Sequence, residues 1–262
     1  MISPLDTYAQ VDTTILPQNN AVHPGYLDIA IGAQYTTFRD FATSPLFYNS
    51  TPLYVALSHL TTTTQRESGV RISYAFGKFE SPVGASNIVS TVHTFGINYM
   101  ELFALKKINI PRFNLKVGGQ LNATANIRDN KAFGNNRNGF EIISTLFGSV
   151  KGIFDTSGKY KKLKMDVGLG IHIGLLNTAY RNSYIYTQQS PILNQDHDSN
   201  GYEFQFFSGY RINSSLDYNF WFNNGNAIQL SYYWDMYSTG ARYDKFQMAS
   251  HTLKLSLLFN LK

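Results

Sequence analysis

The sequence predicts an all-β fold: a ten-stranded antiparallel up-and-down barrel that crosses a membrane through its strands. Three observations carry this expectation. Apolar side chains recur at every second position over long stretches, which is the period of a strand. Aromatic residues make up 15% of the 262 residues, with 18 Tyr and 19 Phe, while charged residues also reach only 15%; typical soluble domains carry about 25% charged residues. Finally, apolar residues reach 43%, yet no run of about 18 of them exists to make a membrane-spanning helix. An aromatic-rich, charge-poor and mildly hydrophobic chain suits a barrel with a greasy outside and a polar inside.

Ten segments follow from the period of two. Leu27, Ile29, Ile31, Ala33 and Tyr35 mark the first, Leu53, Val55 and Leu57 the second, and Val70, Ile72, Tyr74 and Phe76 the third. Phe95, Ile97, Tyr99 and Phe103 lie on the fourth, and Phe113, Leu115, Val117, Leu121 and Ala123 on the fifth. The sixth, about 139–154, alternates poorly. The seventh, KMDVGLGIHIGLL from Lys164 to Leu176, sets Met165, Val167, Leu169, Ile171, Ile173 and Leu175 against Asp166, Gly168, Gly170, His172 and Gly174. Glycine weakens a strand and serves no purpose on a solvent face, so these glycines are expected to leave room for side chains from across the barrel. On the eighth, Tyr202, Phe204, Phe206, Ser208, Tyr210 and further apolar residues to Phe222 keep one even-numbered phase through the turn-like Arg211–Ser215. Residues 202–222 therefore read as one long strand. Ile228, Leu230, Tyr232, Trp234 and Met236 mark the ninth, and Leu253, Leu255, Leu257, Phe259 and Leu261 the tenth.

Connections alternate in length. Those near 62–67, 107–111, 155–160 and 223–226 are short; those near 39–50, 79–88, 128–138, 179–200 and 239–247 are longer and polar. Short turns at one end and long loops at the other are the pattern of transmembrane barrels. The apolar series carries aromatics towards strand ends, as interfacial girdles do. The opposite series is polar. By phase, Arg71, Lys116, Lys164, Arg211 and Lys254 point inward, as do Asp28, Asp166, Glu203, Asp217 and Asp235. Buried charges must pair, and small barrels fill with side chains. The expected interior is a charge-balanced plug rather than a wide pore.

With strands, connections and the last strand HTLKLSLLFNLK in view, residues 26–262 resemble a Gram-negative outer-membrane β-barrel protein. The last strand is similar to the C-terminal signal read by the barrel-assembly machinery, although the usual terminal aromatic is absent and Phe259 lies three residues in. The resemblance implies insertion by that machinery, contact with outer-membrane lipid and lipopolysaccharide, and residence in the cell outer membrane with both termini periplasmic. The net charge of +5 suits anionic headgroups; the basic residues are scattered, which argues against nucleic acid. Residues 1–25, with Pro4, Pro17 and Pro24, are expected to form a periplasmic tail. The start lacks the basic and apolar regions of a signal peptide, so a mature or trimmed form is expected. The absence of Cys excludes disulfides, thiolate metal sites and a lipoprotein anchor.

The one sharp motif is QDHDSNG, Gln195 to Gly201. His197-Asp198-Ser199-Asn200-Gly201 resembles the active-site segment of outer-membrane phospholipase A, and a similar His-x-Ser-Asn occurs in outer-membrane lipid A deacylases. The resemblance implies that Ser199 is an acyl nucleophile and His197 its general base, since a Ser hydroxyl needs an adjacent, oriented base. The chain departs from that pattern where an orienting Asn is expected: Arg211 stands there, with Asn213 nearby. Asp196, His197 and Asp198 make an incomplete metal-ligand set, and the second acidic pair of an omptin-type protease is not found. Polar loops use the same residue types. No cofactor or metal is expected, and His172 reads as a hydrogen-bonded interior residue. The preferred function is a structural or accessory subunit of a larger outer-membrane complex, with protein partners meeting the tail or the barrel wall. The alternatives are a lipid hydrolase using Ser199 and His197, or a narrow solute channel.

Overall fold

Period-two alternation builds every wall strand of the computed structural model, which describes residues 25–42, 44–83, 86–105, 108, 110–130, 138–157, 164–182, 202–239 and 245–261. In chain order the strands are β1 (Gly25–Asp40), β2 (Ser44–Ser50), β3 (Leu53–Thr62), β4 (Arg66–Val83), β5 (Ser86–Ala104), β6 (Phe113–Asn130), β7 (Asn138–Asp155), β8 (Lys164–Asn182), β9 (Tyr202–Phe206), β10 (Tyr210–Trp221), β11 (Ala227–Ser238) and β12 (Phe246–Leu261). Each pairs antiparallel with its neighbours, and β12 returns to β1 from Gly25↔Leu261 to Asp40↔Phe246. Because β2 and β3 share one wall position, as do β9 and β10, the twelve strands make a closed barrel of ten. Closure removes every sheet edge, a condition for crossing lipid with strands.

The two interrupted walls have local causes. Pro52, which has no N–H for the ladder, separates β2 from β3, and its carbonyl accepts from the Gln34 N–H at 3.0 Å. Phe207, Ser208 and Gly209 separate β9 from β10, with φ of 52° at Phe207 and 65° at Gly209. A Cβ at Gly209 would meet the Ser238 carbonyl oxygen at 1.7 Å, so only glycine fits this left-handed, crowded position. The expected strand 202–222 is thus one wall with a bulge in it. Arg211–Ser215, turn-like in composition, is regular strand, and Ser208 turns into the interior rather than outward.

Two of the expected long loops are tight hairpins. β1 continues to Asp40 and β2 resumes at Ser44, while β4 continues to Val83 and β5 resumes at Ser86. The ladder simply runs on past the apolar band, with Phe79↔Ser90 and Ser81↔Ile88 still in register. The segment 139–154 is strand for its full length and alternates in burial as far as Val150. Its irregular sequence comes from apolar Ile143 and Phe147 pointing inward while small Ser144, Gly148 and Gly152 sit on the outer face.

The outer face is apolar. Ile29, Ile31, Leu57, Ile72, Ile97, Leu121, Ile171, Leu216, Leu230 and Leu255 are all exposed. Aromatics flank this band. Phe103, Phe113, Phe154, Phe222 and Phe259 lie near the short-turn end, and Tyr35, Phe76, Phe95, Phe204, Tyr210 and Tyr232 towards the loop end. His93 and His251 lie among the latter group, each taking a hydrogen bond with a tyrosine hydroxyl, from Tyr74 at 2.8 Å and Tyr232 at 2.6 Å.

Candidate functional site: the barrel interior

The chemistry gathers inside the barrel, where inward positions of β1, β4, β6 to β8 and β10 to β12 converge. Three charged layers cross it. The layer nearest the loop end joins β1, β6, β7 and β8. Arg128 Nη2 donates to Asp40 Oδ2 at 2.6 Å and its Nη1 to Glu141 Oε1 at 3.0 Å, while Arg181 Nη2 donates to Asp40 Oδ1 at 2.7 Å. Asn126 adds bonds to Glu141 at 2.8 Å and to the Tyr237 hydroxyl at 2.7 Å. All four charged side chains are no more than 2% exposed. Phe38, Tyr48, Phe79 and Phe246 pack around them, and the Arg128 guanidinium lies 4.5 Å from the Phe246 ring centroid. Ions and rings together seal this end of the described interior. The plug is therefore as aromatic as it is polar.

One layer below, Arg211 grips Asp235 with two bonds, Nε to Oδ1 at 3.0 Å and Nη2 to Oδ2 at 2.6 Å, and also donates to Thr124 Oγ1 at 3.0 Å. The fork geometry suits guanidinium and carboxylate. The third layer lies towards the short-turn end. Glu67 accepts from Lys151 at 2.6 Å and Lys116 at 3.4 Å, and Lys151 also reaches Asp217 at 3.5 Å. Gly168 makes this reach possible: a Cβ there would stand 3.1 Å from Lys151 Cε. The glycine face of β8 is thus space for a neighbour's side chain.

Between the second and third layers is a chamber of about 150 Å³, lined among others by Asp28, Tyr54, Ser58, Arg71, His172, Asp217, Tyr233 and Lys254. An open funnel of about 990 Å³ occupies the short-turn end. The two share Leu60, Glu67, Lys151 and Gln229 as lining, so the Glu67 layer is the floor between them. His172 is a satisfied interior group, with Nδ1 2.8 Å from Ser149 Oγ.

The sequence-derived inward set fares well where it can be followed. Asp28, Lys116, Arg211, Asp235 and Lys254 are buried in the interior, and Arg71 and Asp217 line the chamber. Asp166 lies at the funnel, accepting from Asn219 and Trp221. Lys164 sits exposed at its rim, 5.9 Å from the Trp221 ring centroid. The side chain of Glu203 and all of Gln195 to Gly201 lie outside the described residues, so the geometry brings nothing to His197 or Ser199. The pattern missed Asp40, Arg128, Arg181, Glu141, Glu67 and Lys151, the core of two layers. Extending the even phase of β1 and β6 a little further finds Asp40 and Arg128. Arg181 was hidden, because an extra residue at Leu175 shifts the register between Leu146↔Leu176 and Phe147↔Gly174 and reverses the inward phase.

No protein-family model matches the chain, and comparison with curated proteins finds no match. Among solved structures, the chain is similar to the outer membrane protease OmpT of Escherichia coli, with a TM-score of 0.57 and 8% identity over 91% of this chain and 97% of that one. It also aligns with the translocator domain of the autotransporter NalP of Neisseria meningitidis, with a TM-score of 0.46 and 12% identity over 93% and 90% of the two chains. The β domain of the Bordetella autotransporter BrkA gives 0.43 and 7% over 91% and 100%. The fold is that of Gram-negative outer-membrane β-barrels. Identities this low speak to the fold alone. Among the described residues, the buried loop-end carboxylates Asp40 and Glu141 are both held by arginine.

Proposed function

We propose that the protein is an integral barrel of the outer membrane, with both termini periplasmic, that serves as a structural or accessory subunit of a larger outer-membrane complex. The observation that carries this reading is the sealed interior. The Asp40–Arg128–Glu141–Arg181 layer and its surrounding rings leave no described passage at the loop end. A barrel that does not conduct works through its wall, its loops and its tail.

The wall offers a place for such contact. Where the extra residue of β8 faces the bulge between β9 and β10, Leu175, Phe206 and Phe207 are 68%, 71% and 79% exposed, beyond the rest of the apolar band. A ridge of this kind fits a groove on a neighbouring membrane protein, and residues 1–25 supply a second contact from the periplasmic side. Extraction from membranes in mild detergent tests the reading: the chain should migrate with fixed protein partners. Migration as a monodisperse monomer would overturn it. Replacing Phe206 and Phe207 together by Ala should then loosen the assembly without unfolding the barrel.

A further inference from the structure

The chamber is lined by four cations, Arg71, Lys151, Arg211 and Lys254, and four carboxylates, Asp28, Glu67, Asp217 and Asp235, yet they are not paired one to one. Arg211 is paired with Asp235, and Lys151 takes both Glu67 and Asp217. This leaves Arg71, Lys254 and Asp28. Neither Arg71 nor Lys254 has a carboxylate within 4.0 Å among the described residues. Arg71 Nε donates to Ser58 Oγ at 3.2 Å, and Ser58 in turn donates to Asp28 Oδ2 at 3.1 Å. Lys254, only 3% exposed, has among the described residues a single long bond, to Ser256 Oγ at 3.4 Å. Arg71 thus reaches a carboxylate only through a serine, and Lys254 reaches none: two cations of the chamber are left without a carboxylate in contact.

We propose that this chamber is a binding site for a small monovalent anion of about the size of acetate, held by Lys254 and Arg71. An unpaired buried ammonium is costly, and a bound anion removes that cost. The size fits: about 150 Å³ holds roughly ten waters by the usual measure, or one small anion with part of its hydration. Asp28 and Asp217 line the same chamber and disfavour a second negative charge, so a monovalent anion is preferred to a polyanion. Entry is from the funnel, past the Glu67–Lys151 pair that forms the floor. The site is independent of any partner on the wall.

The test uses the full chain in detergent micelles, with saturation-transfer NMR on the methyl signal of sodium acetate at constant ionic strength. Saturable transfer is expected for the wild type, with sodium formate competing better than sodium sulfate. Lys254→Met and Arg71→Gln should each weaken acetate binding at least about tenfold, and Asp28→Asn should strengthen it at least about tenfold. One unit charge a few ångströms away at an effective dielectric of about 20 changes binding by well over tenfold, so tenfold is the least change expected in each case. The opposite signs distinguish a charge effect from a loss of structure, and the circular dichroism of the barrel confirms folding. Absence of saturable transfer to the wild type would overturn the proposal, as would acetate binding that survives Lys254→Met or Arg71→Gln in a folded barrel. So would a weakening by Asp28→Asn.

Discussion

Asp40→Ala should be among the most damaging single changes in this barrel. The side chain is 1% exposed and accepts from both Arg128, at 2.6 Å, and Arg181, at 2.7 Å. Hydrogen bonds to charged groups contribute about 1.5–3 kcal/mol each, so two of them suggest about 3–6 kcal/mol. Removing one member of a buried ion pair costs about 3–5 kcal/mol, because the partner is left charged and dry. Arg128 retains Glu141 at 3.0 Å, whereas Arg181 retains a neutral bond to Thr239 at 3.3 Å. The loss therefore falls mainly on Arg181, and about 3–4 kcal/mol is the expected size. Urea unfolding of the refolded protein in lipid vesicles measures it, with unchanged slope showing that the barrel is the same. The double variant Asp40→Ala with Arg181→Met should recover a large part of the loss, since the stranded charge is then gone. Glu101→Ala is the control: its partner Arg66 is 55% exposed, and such pairs contribute about 0–1 kcal/mol. An Asp40→Ala variant within about 0.5 kcal/mol of wild type would show that the layer is not the structural lock described.

Further expectations follow from the same geometry. Ile171→Arg places a charge in the middle of the apolar band, where such residues cost about 2–4 kcal/mol in a transmembrane barrel; the same change at Asn223, in a short turn, should leave the urea midpoint nearly unmoved. Gly168→Leu drives a side chain into Lys151, 3.1 Å from where a Cβ would sit, and should cost about 1–3 kcal/mol as overpacking, read by the same unfolding transition. Gly209→Val forces a β-branched residue to a φ of 65° against the Ser238 carbonyl, and should lower the yield of folded, heat-shifted barrel on refolding gels. Ser199→Ala in an acyl-ester release assay should leave the rate at the level of the wild type, and a fall to background would return the interest to the His197–Ser199 motif.

What the sequence revealed and what it concealed have the same physical source. Alternation is a property of the backbone, so strands whose two faces differ sharply in polarity were legible, as on β1 or β12. β7 was obscure because it points Ile143 and Phe147 inward against the polar rule; Ile143 packs within the loop-end seal, and the Phe147 ring lies 5.9 Å from the Arg211 guanidinium. The hairpins above the apolar band read as loops because Phe38, Tyr48 and Phe79 point inward there among polar residues and blur the alternation, although the ladder continues through them. Some ions of the interior were legible, but the core of two layers and the grouping of the ions were not. Which lysine meets which carboxylate depends on strand tilt and stagger across the barrel, and Lys151 and Glu67 lie 84 residues apart. The phase reversal at Leu175 hid Arg181, since one inserted residue turns every later side chain to the other face.

The central claim is that the described interior is sealed near the loop end by a dry ionic and aromatic layer. Planar-bilayer conductance of the purified full chain tests it most directly. The wild type should insert without steady channel currents, and Asp40→Ala combined with Phe246→Ala should convert it to a narrow conducting pore. A wild-type protein that passes ions in long, stable openings at low voltage would contradict the account.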